Sequence, residues 1–173
     1  MGLKNVTLSR TTNGYFVGAN FPVNEKLTRE ETNFDVSNLS DSANARRARA
    51  IALVEDARGK IDVAFGKKYL SDHYDSFAKK DDPDERSLCG HIDLSPRGSK
   101  PWQPEFGPAG TAEAKVADWT LVTSMSFEAS FGHPCGRNFK AAQHLAEHPE
   151  FASMKDLLRD LDSYPWTRFS LAR

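Results

Sequence analysis

Two runs late in the chain restrict its fold more than anything else in the sequence. Ala112, Ala114 and Val116 alternate with Glu113 and Lys115, and Met125, Phe127, Ala129 and Phe131 alternate with Ser126, Glu128 and Ser130. A side-chain period of two marks strands with one face turned to a core, and their proximity predicts an antiparallel pair. A third alternation, Leu88, Gly90, Ile92 and Leu94 against Cys89, His91 and Asp93, predicts a strand with one apolar face and one chemically equipped face. Near the start, Val6 to Arg10 and Tyr15 to Asn20 flank the Asn13-Gly14 turn signal and predict a hairpin.

Between these strand blocks lie helix formers. Asn44 to Arg58 predicts a helix with Ala45, Ala48, Ile51 and Ala52 on one stripe and Gly59 just past its end. Asp62 is placed to cap a second helix, carrying Phe65 and Tyr69 and running to about Tyr74, before the charged connector Lys79 to Pro83. The polar stretch from Phe21 to Ser42 predicts a long surface loop with at most one turn of helix, and Ser95 to Gly110, dense in proline and glycine, a second irregular excursion. After the Gly132-His133-Pro134-Cys135-Gly136 turn, Asn138 is a candidate cap for a helix reaching Pro149, and Ser153 with Asp156 for a short helix through Leu161. Strands in blocks on either side of a helix pair predict an α+β domain with helices layered on an antiparallel sheet, residues 1-173 forming a single domain.

Composition removes several function classes. Lys and Arg number 23 against 24 Asp and Glu, a formal charge of −1 that lacks the basic footprint of a nucleic-acid binder. No apolar stretch is long enough for a transmembrane segment, and the first twenty residues do not have the pattern of a signal peptide, so a cytoplasmic location is expected for the chain as encoded. Val6 stands where a myristoylation motif needs Ser or Thr. Gly-rich phosphate loops are absent, leaving nucleotide cofactors without support. The two cysteines, Cys89 and Cys135, are far apart and show no Cys-x-x-Cys or metal-ligand spacing, which argues for reduced thiols and against structural zinc or any other metal. A mean hydropathy of −0.58 is low for a self-sufficient domain and leaves room for buried surface supplied by another chain.

The residues able to do chemistry each have a plainer reading. Asn20 beside a proline is more often a turn residue than an oxyanion donor. Cys89 has no evident base to lower its pKa, and His91 with Asp93 resembles a satisfied structural pair as much as an oriented imidazole. His73-Tyr74-Asp75 reads as a helix end, and Cys135 sits in a turn whose Gly and Pro speak first of backbone geometry.

Five segments in order nevertheless resemble a known family: Asn13 to Val23, Leu70 to Asp75, Arg86 to Leu94, Met125 to Phe127 with Gly132 to Gly136, and Arg159 to Trp166. They look like landmarks of the C-terminal part of phospholipase B-like proteins and, more distantly, of the C45 peptidase and acyltransferase family that includes the isopenicillin N acyltransferases. The resemblance implies the C-terminal portion of an N-terminal-nucleophile αββα sandwich, in which a cysteine freed by self-cleavage uses its own α-amine as base against an amide or acyl ester. It implies catalytic roles for Asn20, as oxyanion stabiliser, and for Arg86, a fixed guanidinium near the developing charge. The family's nucleophile lies far upstream of the Asn13 segment. This chain is therefore expected to act with an N-terminal half of the same enzyme, or to self-associate. The alternative is a non-catalytic folding or interaction module.

Overall fold

The computed structural model describes residues 10–18, 37–83, 86–91, 113–156 and 158–171. Within them the protein is mixed α+β: α1 (Ser37–Asp56), α2 (Val63–Leu70), the two-residue strands β1 (Tyr74–Asp75) and β2 (Lys80–Asp81), β3 (Glu113–Val116), α3 (Trp119–Thr123), β4 (Ser126–Phe131), α4 (Ala141–Glu147), a 3-10 helix over Pro149–Met154, and β5 (Thr167–Ser170). β1 and β2 form a small hairpin, and β3, β4 and β5 an antiparallel sheet with β4 in the centre. No helix among the described residues is long and apolar enough to cross a membrane.

The alternating runs behave as their period dictates. β4 pairs Ala114 with Ser130 on one side and Phe127 with Phe169 on the other. Its two faces are therefore distinct. Helix α2 lies over the face carrying Val116 and Glu128: a Cβ on Gly66 would fall 2.9 Å from Val116 Cγ1, so a larger residue there would displace the Val116 side chain, and Lys67 forms an ion pair with Glu128. The opposite face carries Phe127 and Phe169, stacked with ring centroids 5.4 Å apart, and Phe131, all substantially exposed.

Asp62 caps α2 as expected, accepting from the Phe65 amide at 2.7 Å. The helix stops at Leu70 rather than near Tyr74, because the chain beyond it is drawn into the β1–β2 hairpin. Buried Asp75 turns that hairpin by accepting from the Phe77 and Ala78 amides at 2.8 and 3.0 Å, so the charged connector is in part a strand.

Several expectations are corrected. Helix α1 begins at Ser37, inside the segment expected to be loop, and its buried side is Ser42, Ala43, Ala45 and Ala50, while Ala48 and Ala52 are exposed. The helix is rotated so that Arg49 can reach Asp72. Residues 15–18 are not in a strand; Gly14 does turn the chain at φ +86°, but Tyr15 hydrogen-bonds Glu55 and Arg58 donates to the Asn13 carbonyl, so the segment lies along the end of α1. Residues 86–91, the described part of the Leu88 to Leu94 alternation, form bends because their amides serve two different segments: Cys89 N–H donates to Asp72 O at 2.9 Å and His91 N–H to Pro83 O at 3.0 Å. Asn138 does not cap α4. Its side chain accepts from the Ser163 amide, and the Ala141 amide at the helix start is capped by Asp160. The helix expected through Leu161 is replaced by the 3-10 turn and by a bridge between Phe139 and Leu161. Helix α3, capped by Asp118, and strand β5 were not anticipated.

Among the described residues, large buried apolar side chains are scarce. Phe139 and Leu158 form the core of the C-terminal region with Ala141, Leu145, Phe151 and Leu161 packed around them. Elsewhere most buried hydrophobic positions are alanines.

Candidate functional site

A buried cluster forms where three loops meet. His73 arrives on the turn between α2 and β1, Cys89 and His91 on the bend at 86–91, and Cys135 on the turn after β4. One donor atom from each of the four lies within 4.8 Å of every other. His91 Nε2 is central, 3.2 Å from His73 Nε2, 3.3 Å from Cys135 Sγ and 3.6 Å from Cys89 Sγ.

The surrounding fold fixes each contributor. Arg49 on α1 grips Asp72 through two parallel hydrogen bonds of 2.9 and 2.7 Å, and Asp72 also accepts from the Tyr74 amide at 3.1 Å, so the backbone on both sides of His73 is held. The His73 carbonyl accepts from the Asp82 amide across the hairpin at 2.9 Å. Ser87 Oγ donates to the Cys89 carbonyl at 3.0 Å and tightens the second loop. The third is closed by the Gly136 amide on the His133 carbonyl at 2.8 Å and tied to the C-terminal segment by Ser163, which bonds both the His133 amide and the Arg137 carbonyl. Gly132 takes φ +83°, with the Ser163 Cα 2.7 Å from where a Cβ would stand. The His133 ring packs on His91 with centroids 3.9 Å apart.

Burial governs the protonation of these groups. It pushes Cys89 up to about 12, with Cys135 opposing the rise through its backbone and adding to it through its side chain, so this thiol is the reverse of an activated nucleophile. It also lowers His91 to about 3, helped by the neighbouring His133, His73 and Arg137, and lowers His73 against the opposing pull of Asp72 and Asp81. At neutral pH both rings are neutral. Arg137 Nη1 lies 3.3 Å from His91 Nδ1, and a guanidinium can only donate, so the His91 proton sits on Nε2. The two thiol sulfurs and the His73 ring nitrogen thus crowd this one atom.

A shallower cleft of about 340 Å³ lies beside α1, lined by Gly18, Arg46, Arg47, Tyr69, Leu70 and Leu88 among others. Arg47 Nε is buried there without a hydrogen-bond partner among the described residues.

Of the residues expected to act in catalysis, Asn20 lies outside the described residues, as does Asp93. Arg86 is half-buried at the start of the 86–91 bend, its guanidinium 5.7 Å from the centre of the Phe77 ring, and is not part of the His/Cys cluster. Both cysteines are free thiols, as expected. The spacing argument against a metal-type cluster does not survive the geometry, which joins residues from three distant segments. Cys89-x-His91 was the visible half of the signal, and His73 was hidden by its reading as a helix end. Searches against family models, curated proteins and solved structures find no match to this chain.

Proposed function

We propose that this chain supplies one half of an acyl hydrolase or amidase of the cysteine N-terminal-nucleophile type, a phospholipase B-like αββα sandwich whose other half carries the nucleophile. The observation that carries the reading is the two-sided character of the β3–β4–β5 sheet: α2 covers one face, while Phe127, Phe131 and Phe169 lie exposed on the other. A helix layer on one side and an uncovered aromatic row on the other is what one αβ half of a four-layer sandwich presents to a second sheet. The cleft lined by Gly18 and Leu88 supports it further, because Arg86 precedes Leu88 by two residues and Arg47 adds a buried donor for an anionic or carbonyl oxygen. In this reading Asn20 and Arg86 stabilise charge on the acyl oxygen. Cys89, raised by burial, is not the nucleophile.

The second reading, a non-catalytic folding or interaction module, is favoured by the His/Cys cluster, whose inner members Cys89 and His91 are buried and which joins three loops.

The test is an assay for acid release from N-acyl amide, acyl ester and phospholipid substrates, using the chain alone and co-produced with a polypeptide bearing a cysteine-initiated half. The chain alone should be silent and the pair active. In the pair, Asn20→Ala should lower kcat by about a hundredfold or more, and Phe127→Glu should prevent association. Turnover by the chain alone that is lost in Cys89→Ala or Cys135→Ala would overturn the proposal.

A further inference from the structure

The donor set and its spacing point to a bound metal. We propose that His73, Cys89, His91 and Cys135 are the four ligands of a structural zinc ion that joins the β1–β2 hairpin, the 86–91 bend and the turn after β4.

The argument is first geometric. Zinc held by nitrogen at about 2.0 Å and sulfur at about 2.3 Å in a tetrahedron places two nitrogens about 3.3 Å apart, nitrogen and sulfur about 3.6 Å apart and two sulfurs about 3.8 Å apart. The observed edges are 3.2 Å between the two histidine nitrogens and 3.3 and 3.6 Å from His91 Nε2 to the sulfurs, with every remaining pair inside 4.8 Å.

Chemistry selects the ion. Two thiolates and two imidazoles are a borderline-soft set suited to zinc and poorly suited to magnesium or calcium, which take oxygen. Four protein ligands, with Cys89 and His91 wholly buried, fill the coordination sphere and leave no position for water, so the site is structural rather than hydrolytic. The proton count closes: each cysteine releases its thiol proton to solvent, and ligation through His91 Nε2 moves that ring's proton to Nδ1. Arg137, on a loop and half-buried, then swings off Nδ1. Two thiolates cancel the charge of the ion, so a nearby guanidinium is not repelled.

The fold has a need for such a tie. Among the described residues, the buried side chains around the junction are mostly polar, Asp75, Ser87, His91 and His133, joined only by Cys89 and Pro134. Small or core-poor regions commonly depend on a metal or disulfide for cohesion.

The experiment uses the full chain, purified without chelator, with zinc as the probe and cobalt(II) as its spectroscopic substitute. The expected result is one zinc per chain by elemental analysis, and a cobalt form with the visible bands of a tetrahedral, thiolate-ligated ion. Cys135→Ser and His73→Ala should each weaken zinc binding by on the order of a hundredfold or more, whereas His148→Ala, at a surface histidine, should leave it unchanged. Should a ligand variant fail to fold, alkylation of the wild-type chain decides the matter: both thiols should be protected with zinc and react after chelation. Three outcomes would overturn the proposal: less than stoichiometric zinc, cobalt spectra indifferent to Cys89→Ser, or a Cys89–Cys135 disulfide in the metal-free mass.

Discussion

The region around Phe139 and the junction around His91 are both buried, yet they are held by opposite means. Phe139 and Leu158 sit in an apolar cluster with Leu145, Phe151 and Leu161, and Phe139 exchanges two backbone hydrogen bonds with Leu161 at 2.8 and 3.0 Å. The His91 junction buries instead two histidines, a thiol, a serine and a carboxylate: His91, His133, Cys89, Ser87 and Asp75. Removing an apolar side chain from water is favourable in itself, whereas a buried polar group gains only if its partners are supplied. The first region therefore holds itself, and the second depends on its ligands.

The largest way to separate the two is to take the metal away. Binding to the folded state alone contributes about 4 kcal/mol when free zinc exceeds Kd by a thousandfold, so chelation should lower Tm by roughly 8 to 16 °C in a chain of this length. Calorimetry with and without chelator reads the effect. The complementary cut is Phe139→Ala, expected to cost about 3 to 5 kcal/mol by leaving a cavity, while the chain that remains folded still carries one zinc. Zinc loss in that variant would show that the two regions are one unit.

Arg49→Ala sharpens the contrast at intermediate cost. It leaves the half-buried Asp72 carboxylate without its bidentate partner and removes the guanidinium from over the Tyr74 ring, together about 2 kcal/mol. Because Asp72 positions His73, zinc affinity should fall by about ten- to a hundredfold, with the Phe139 region unaffected. The smallest effect is at Asp160, whose carboxyl is held below the usual range by the Ala141 amide and by Lys140. A depressed carboxyl contributes above its unfolded pKa and loses that contribution as pH falls through the folded one. The Ala141 amide resonance should therefore shift, and α4 begin to fray, only below about pH 4, and Asp160→Asn should abolish the transition.

What the sequence made legible was what short-range chemistry decides. The alternation at 113–116 and 126–131 became β3 and β4, and Asp62 became the cap of α2, because pleat and cap are properties of neighbouring residues. The same alternation misled at Leu88, where the amides of Cys89 and His91 are claimed by Asp72 and Pro83, partners that no local pattern announces. Helix α3 is too short to carry a period, and β5, Thr167-Arg168-Phe169-Ser170, has a single apolar residue and so shows no alternation. The His/Cys cluster was hidden for the deeper reason that its members come from three loops, and loop meetings are set by long-range contacts such as Arg49 with Asp72 and Ser163 with His133.

Hydrogen exchange of the full chain with and without chelator tests the central claim most directly. After chelation, protection should collapse at the amides of Asp82, Cys89, His91 and Gly136, which close the three loops, while Phe139 and Leu161, bonded to each other, keep theirs. Equal loss in both regions, or no change at the four loop amides, would contradict the account.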